Sequence, residues 1–184
     1  MIWFTSDLHF GHRAVIQYCN RPYEHGNIEK MDADLVKTWN ATVKRSELVY
    51  CLGDMSFHKP GIGVPLLREL NGRKILILGN HDKYSAKQYG DAGFIHIMVE
   101  AKIHIAGHSV KLSHYPYWDE SENDSNGRRY QERRPQNQGD WLLCGHVHTA
   151  WKQKEQQINV GVDVWGMKPV SIDVIQAAIQ RGSV

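Results

Sequence analysis

Carboxylate and imidazole side chains recur in this chain at a spacing that lets them act together. The apolar run Leu142-Leu143-Cys144 leads through Gly145 into His146-Val147-His148, and Trp3-Phe4-Thr5-Ser6 leads into Asp7-Leu8-His9. In extended backbone alternate side chains share a face, so each pair projects two polar groups to one side. Three more blocks follow apolar runs: Gly53-Asp54, Gly79-Asn80-His81-Asp82, and His114 after Val110 to Ser113. Gly53, Gly79 and Gly145 allow tight backbone geometry where the chain would leave a strand. Imidazole and oxygen donors without thiolates suit divalent first-row metals. Seven such donors exceed one tetrahedral site and fit two ions sharing a carboxylate, for which Asp54, alone after a buried strand, is the obvious bridge. Two metals roughly 3.5–4 Å apart can clamp a phosphoryl group and bring the pKa of a bound water toward ~7.

Such groups must be positioned by elements, and the first half of the chain reads as alternating strands and helices. Residues 2–5, 48–52 and 74–78 are short apolar runs, hence buried strands. Between the first two, Ile28, Met31, Leu35, Trp39 and Val43 form a helical stripe over 28–43, and 64–70 forms part of a second helix before Asn71-Gly72. This alternation implies an α/β fold with parallel strands, whose polar groups gather where strand carboxyl ends open into loops. Residues 94–106 and 110–113 read as consecutive strands with hairpin connections, and 141–144, 157–160 and 170–173 add more, before a terminal helix over 173–181. Segment 117–140 is long, polar and aperiodic, acidic at its start and arginine-rich at its end, and reads as a mobile surface loop.

Length bounds the answer to a single domain over residues 1–184, large enough for a substantial core. A net charge of +2 does not announce a nucleic-acid or membrane-surface protein. Three cysteines, none in a Cys-x-x-Cys pair, favour a reducing compartment. No export signal or membrane-length apolar run is visible, so a cytoplasmic location is expected.

The series Asp7-x-His9, Gly53-Asp54, Gly79-Asn80-His81-Asp82, His114 and Gly145-His146-x-His148 resembles the calcineurin-like metallophosphoesterase superfamily. Each block is weak alone, but all five occur in the family's order. Asn159-Val-Gly-Val-Asp-Val-Trp165, followed by Pro169-Val-Ser, also resembles the terminal strand pair of small bacterial and phage members. The resemblance implies a four-layer αββα sandwich of two facing mixed sheets flanked by helices, with a dimetal site at one edge. It implies that Asp7, His9 and His148 hold one metal, Asn80, His114 and His146 the other, and that Asp54 bridges. His81 matches the family's general acid, with Asp82 orienting it. The implied reaction is in-line attack on phosphorus by a metal-bridging hydroxide, with His81 protonating the leaving alkoxide. The expected cofactors are two divalent ions, Mn2+ first, with Fe, Zn, Ni or Mg as alternatives.

His12 and Arg13 extend the first motif, and both could contact substrate phosphate, Arg by a bidentate bond. Five of the eleven histidines call for no such role: His96 and His104 read as strand residues, and His25, His58 and His108 as loop residues. Asp82 could instead cap a helix beginning near Lys83, and Gly61-Ile62-Gly63 lacks the context of a nucleotide fingerprint. Arg128, Arg129, Arg133 and Arg134 admit two readings. The plainer is a solvated loop paired with Asp119, Glu120, Glu122 and Asp124. The sharper is a lid over the metals, with Tyr117, Trp118 and Tyr130 stacking on a base. The expected activity is hydrolysis of a phosphodiester or nucleotide-like phosphate. A nuclease acting on DNA or RNA, or a scaffold that has lost catalysis, are the alternatives. The expected partner is thus a small phosphate ester or nucleotide, nucleic acid remaining open, with no membrane role. Oligomeric state is not readable.

Overall fold

The computed structural model describes residues 1–24, 26–118 and 130–184. His25 and, in the arginine-rich loop, Asp119, Glu120, Glu122, Asp124, Arg128 and Arg129 lie outside the described residues. The first half runs β1 (Ile2–Thr5), α1 (Arg13–Tyr18), α2 (Ile28–Thr42), β2 (Leu48–Cys51), α3 (Pro60–Arg68), β3 (Arg73–Ile77), α4 (Ala86–Asp91) and β4 (Phe94–Met98). Then follow β5 (Glu100–Ile105), β6 (His108–Ser113), β7 (Trp141–Cys144), β8 (Gln153–Lys154), β9 (Gln157–Asn159), β10 (Val170–Ser171) and α5 (Ile172–Arg181).

Two five-stranded mixed sheets result. The first has the order β10-β1-β2-β3-β4, with β1 to β4 parallel and β10 antiparallel. The second has the order β5-β6-β7-β9-β8, parallel in its centre and antiparallel at both edges. Strand alternation explains why β2 is apolar throughout. Val49 and Cys51 join the core beneath α1 to α4, while Tyr50 and Leu52 face the core shared with the second sheet. Strands covered on both faces read as continuous apolar runs. Helix α2 forms because Asn27 accepts a hydrogen bond from the Lys30 amide and its stripe finds a core. Met31, Leu35 and Trp39 are buried, each contributing about 1.5–3 kcal/mol, and the Trp39 indole donates to the Asn71 carbonyl at 2.9 Å. At the other end of the chain, α5 is capped by Ser171 and ends at Gly182, whose φ of 72° is the left-handed cap glycine tolerates.

The expected hairpin within residues 94–106 is not formed. Strand β4 pairs parallel with β3 in the first sheet, the chain breaks at exposed Val99, and β5 begins the second sheet, where it forms the hairpin with β6. Alternation along 94–106 carries no mark of the sheet change, because both strands lie at sheet edges with one face wet. Residues 170–173 form only a two-residue strand, since Ser171 already caps α5. Among the described residues no helix is long and apolar enough to cross a membrane.

Candidate metal centre

The loops leaving β1, β2, β3, β6 and β7 meet at one mouth between the sheets. The Asp7 amide donates to the Gly53 carbonyl and the His9 amide to the Asp54 carbonyl, both at 3.0 Å, so the first two loops run side by side. The Gly145 amide donates to the His114 carbonyl at 3.0 Å, and the His146 amide reaches the Asp7 carboxylate at 3.0 Å. The approach is close enough to demand glycine: a Cβ on Gly79 would overlap Asp54 Oδ1, and one on Gly145 would stand 2.5 Å from Asp7 Oδ2. Asp7, His9, Asp54, His146 and His148 all adopt left-handed backbone, with φ of 58°, 53°, 55°, 70° and 47°. Such strain in non-glycine residues gathers where function over-determines geometry.

All seven expected ligands come together there. His9 Nε2 lies 3.7 Å from Asp7 Oδ1 and 3.6 Å from Asp54 Oδ2, and His148 Nε2 lies 3.9 Å from Asp7 Oδ1. On the other side of Asp54, His114 Nε2 is 3.5 Å from Oδ2, 3.2 Å from Asn80 Oδ1 and 3.2 Å from His146 Nδ1. A neutral imidazole has one N–H, and His114 spends it from Nδ1 on the Leu52 carbonyl at 2.7 Å. Its Nε2 therefore turns an electron pair toward the oxygens of Asn80 and Asp54, the arrangement of a ligand set around a cation. His9 is buried with neither ring nitrogen hydrogen-bonded, which is costly unless those nitrogens serve another purpose. The groups Asp7-His9-His148 and Asp7-Asp54-His114 each bring ligand atoms within 4.8 Å of one another. These residues fit divalent cations.

The electrostatics agree. Burial pushes His9 down to about 4 and, with the nearby His114, His146 down to about 3, so both offer electron pairs at neutral pH. Burial, with Asp7 and Asp82 adding to it, raises Asp54 to about 6. Burial alone would also raise Asp7, but His148, His9 and His114 hold it well below the usual carboxylate range. Burial works against charge on His148, yet Asp7 and Asp163 flank it and lift it to about 11, so a cation there must displace that proton.

Behind His148 stands a pair that sequence reasoning missed. Asp163 Oδ2 accepts from His148 Nδ1 at 2.8 Å, while Arg21 binds the same carboxylate through Nε at 2.8 Å and Nη2 at 3.2 Å. Arg21 also donates to the Asp7 and Leu8 carbonyls at 2.7 and 2.9 Å. A carboxylate behind a ligating imidazole fixes its tautomer and aim. Asp163 lies within the 159–165 stretch, but nothing in its spacing names His148 as its partner, and Arg21 belongs to no motif.

Other expected residues are placed differently. Both oxygens of Asp82 are engaged elsewhere: Oδ2 accepts from the Asp54 and Gly79 amides, Oδ1 from the Met55 amide and the Tyr89 hydroxyl. It ties the Asp54 and Gly79 loops together and does not grip the His81 ring. Nor does it cap α4, since Ser85 does so in a capping box with Gln88. His81 lines the cleft with Nε2 4.0 Å from Asp54 Oδ2. Burial, then His12 and His114, push it down to about 4; an anionic phosphate beside it acts in the opposite direction. His12 also lines the cleft, but Arg13 opens α1, is exposed, and lays its guanidinium against Gly26 outside it. In the 117–140 segment, Tyr117 is buried, its hydroxyl donating to the Asp140 carbonyl, whereas Tyr130 reaches the cleft opposite His146.

Two facing mixed sheets that bring imidazoles and carboxylates to one mouth define an α/β sandwich with a ligand set suited to metal ions. Residues 1–170 match the model of the calcineurin-like phosphoesterase superfamily domain, and the chain belongs to that superfamily. It is 34% identical over 192 residues to the uncharacterized protein MJ1445 of Methanocaldococcus jannaschii, covering 100% of this chain and 93% of that protein. It is 32% identical over 186 residues to the gene 66 protein of Mycobacterium phage L5, covering 89% and 87%. Among solved structures, the protein of unknown function AQ665 from Aquifex aeolicus matches with a TM-score of 0.70 at 27% identity, covering 96% of this chain and 98% of that one. Superfamily members are metal-dependent phosphoesterases.

Proposed function

We propose that this chain hydrolyses a phosphodiester or nucleotide-like phosphate with two divalent cations, Mn2+ foremost. Asp7, His9 and His148 would hold one and Asn80, His114 and His146 the other, with Asp54 shared. The observation that carries this reading is the convergence of His146 Nδ1, Asn80 Oδ1 and Asp54 Oδ2 within 3.5 Å of His114 Nε2. When bound, the cations would supply Lewis acidity toward the phosphoryl oxygens and lower the pKa of an attacking water toward ~7. The residues do the rest. Leu52 and Asp163 fix the tautomers of His114 and His148. The Asp54 carboxylate is held by the His81 amide, which donates to Oδ1 at 2.9 Å, leaving Oδ2 toward the centre. His81, partly exposed at the cleft wall, is placed to give a proton to a departing alkoxide oxygen, which matters most for poor leaving groups.

Among the described residues, no lysine or arginine lines the cleft, which favours a small ester over a long polyanion held by its backbone. The test is a metal-reconstituted assay on bis(p-nitrophenyl) phosphate and p-nitrophenyl phosphate. Turnover of the diester that requires added metal and vanishes in Asp54→Asn is expected. Failure of the loaded protein to cleave either ester would overturn the proposal.

A further inference from the structure

The ligand cluster lines a cleft of about 580 Å³ together with several aromatic rings. Tyr18, the last residue of α1, and Phe57, in the loop after β2, are 75% and 40% exposed, and both line the cleft. The Phe57 ring lies parallel to the His12 imidazole, with 3.8 Å between centroids and 4° between planes. Tyr18 meets His12 edge-on, with 6.4 Å between centroids. The Phe57 centroid is also 4.3 Å from that of His81. An aromatic platform, a Phe57–His12 stack with Tyr18 set at an angle to it, thus lies beside His81, with His9 next to it at 5.6 Å from Phe57. Large aromatic rings left in water beside a polar site mark recognition of something apolar and flat. No lysine or arginine lines the described wall, so such cations do not explain its composition.

We propose that His12, Phe57 and Tyr18 form a stacking subsite for a nucleobase attached to the leaving side of the scissile phosphate, so that the substrate is a nucleoside-bearing phosphoester. The proposal rests on the phosphoesterase reading, because the contact of Phe57 with His81 is what puts the platform on the leaving side. It also moves base recognition from the 117–140 segment to α1 and the loop after β2. Stacking on an aromatic side chain strengthens binding by roughly 5- to 150-fold per base and tolerates any base. Selectivity here should therefore be for the presence of a base, with little dependence on its identity or on salt.

The test is calorimetric titration of the Mn2+-loaded protein with two non-hydrolysable ligands: adenosine 5′-methylenephosphonate and the ribose phosphonate lacking the base. Wild type should bind the adenosine compound about tenfold or more tightly. Phe57→Ala and Tyr18→Ala should each erase most of that preference and leave the ribose compound's affinity unchanged, which also reports an intact phosphate site. Equal binding of the two ligands by wild type, or a preference that survives both substitutions, would overturn the subsite. Diester turnover is scored separately. Turnover without base preference removes only the subsite, and base preference without turnover removes only the catalytic reading.

Discussion

Replacing Asp163 by Asn changes the tautomer of a metal ligand through a residue that touches no metal. In the native arrangement the Asp163 carboxylate accepts three bonds, two from Arg21 and one from His148 Nδ1. An asparagine has one acceptor oxygen. If that oxygen stays on Arg21 Nε, the amide N–H group faces His148 Nδ1, which must become the acceptor. The single proton of a neutral ring then moves to Nε2, the atom facing Asp7, and its electron pair is lost to the site. Losing such a partner costs about 10- to 100-fold in metal affinity, or about 1.4–2.7 kcal/mol. The change also leaves Arg21 without its counter-charge in a pair whose side chains are each 1% exposed, a loss of about 3–5 kcal/mol in folding. The two effects separate experimentally. Chelator-competition titration at low temperature reads metal affinity, and urea unfolding of metal-free protein reads stability. Arg21→Met should lose comparable stability while keeping most of the metal affinity, since Asp163 can still hold His148. A folded Asp163→Asn protein that binds metal as tightly as wild type would refute the reasoning.

Gly145→Ala should abolish metal binding, because its Cβ would stand 2.5 Å from Asp7 Oδ2. Gly61→Ala, on α3 with nothing within 4 Å of its Cβ, should gain up to about 1 kcal/mol in stability and leave metal binding alone; urea unfolding and metal titration check both. Ser85→Ala should cost about 1 kcal/mol by loss of the α4 cap with turnover retained. Asp82→Asn should cost about 1–3 kcal/mol by facing an amide N–H toward backbone donors and should weaken metal binding as the Asp54 loop shifts. Turnover lost equally in both would contradict the separation of cap from loop tie. The Lys44 amide first, then the Trp3 indole, holds Glu47 below the usual carboxylate range. Its contribution is therefore present above that range and lost as pH falls through the lowered folded value. Glu47→Gln should flatten the acid limb of a stability–pH curve, measured away from metal.

The parts legible in the sequence were those in which local pattern and function coincide. The five ligand blocks sit at strand ends because the strands that aim them are short apolar runs, so Asp7, Asp54, Asn80, His114 and His146 could be placed at the carboxyl ends of strands without coordinates. What stayed hidden depends on tertiary pairing. The sheet change at Val99 leaves the alternation of 94–106 intact, and helix α1 has only six residues, too few for a periodic stripe. The Arg21–Asp163 pair joins residues separated by 142 positions, and no spacing marks it. Asp82 shows the opposite failure: its position beside His81 suggested a local task, whereas its oxygens serve loops at residues 54, 55 and 79 and the Tyr89 hydroxyl. The Tyr18–Phe57 platform needed the fold as well, since its members come from α1 and the loop after β2.

Metal content is the most direct test of the central claim that remote imidazole, amide and carboxylate groups converge to hold two cations. A crystal of Mn2+-soaked protein, measured at the manganese absorption edge, should give two anomalous peaks separated by roughly 3.5–4 Å, one flanked by His9 and the other by His114. One peak at most, or peaks away from Asp54, would contradict it.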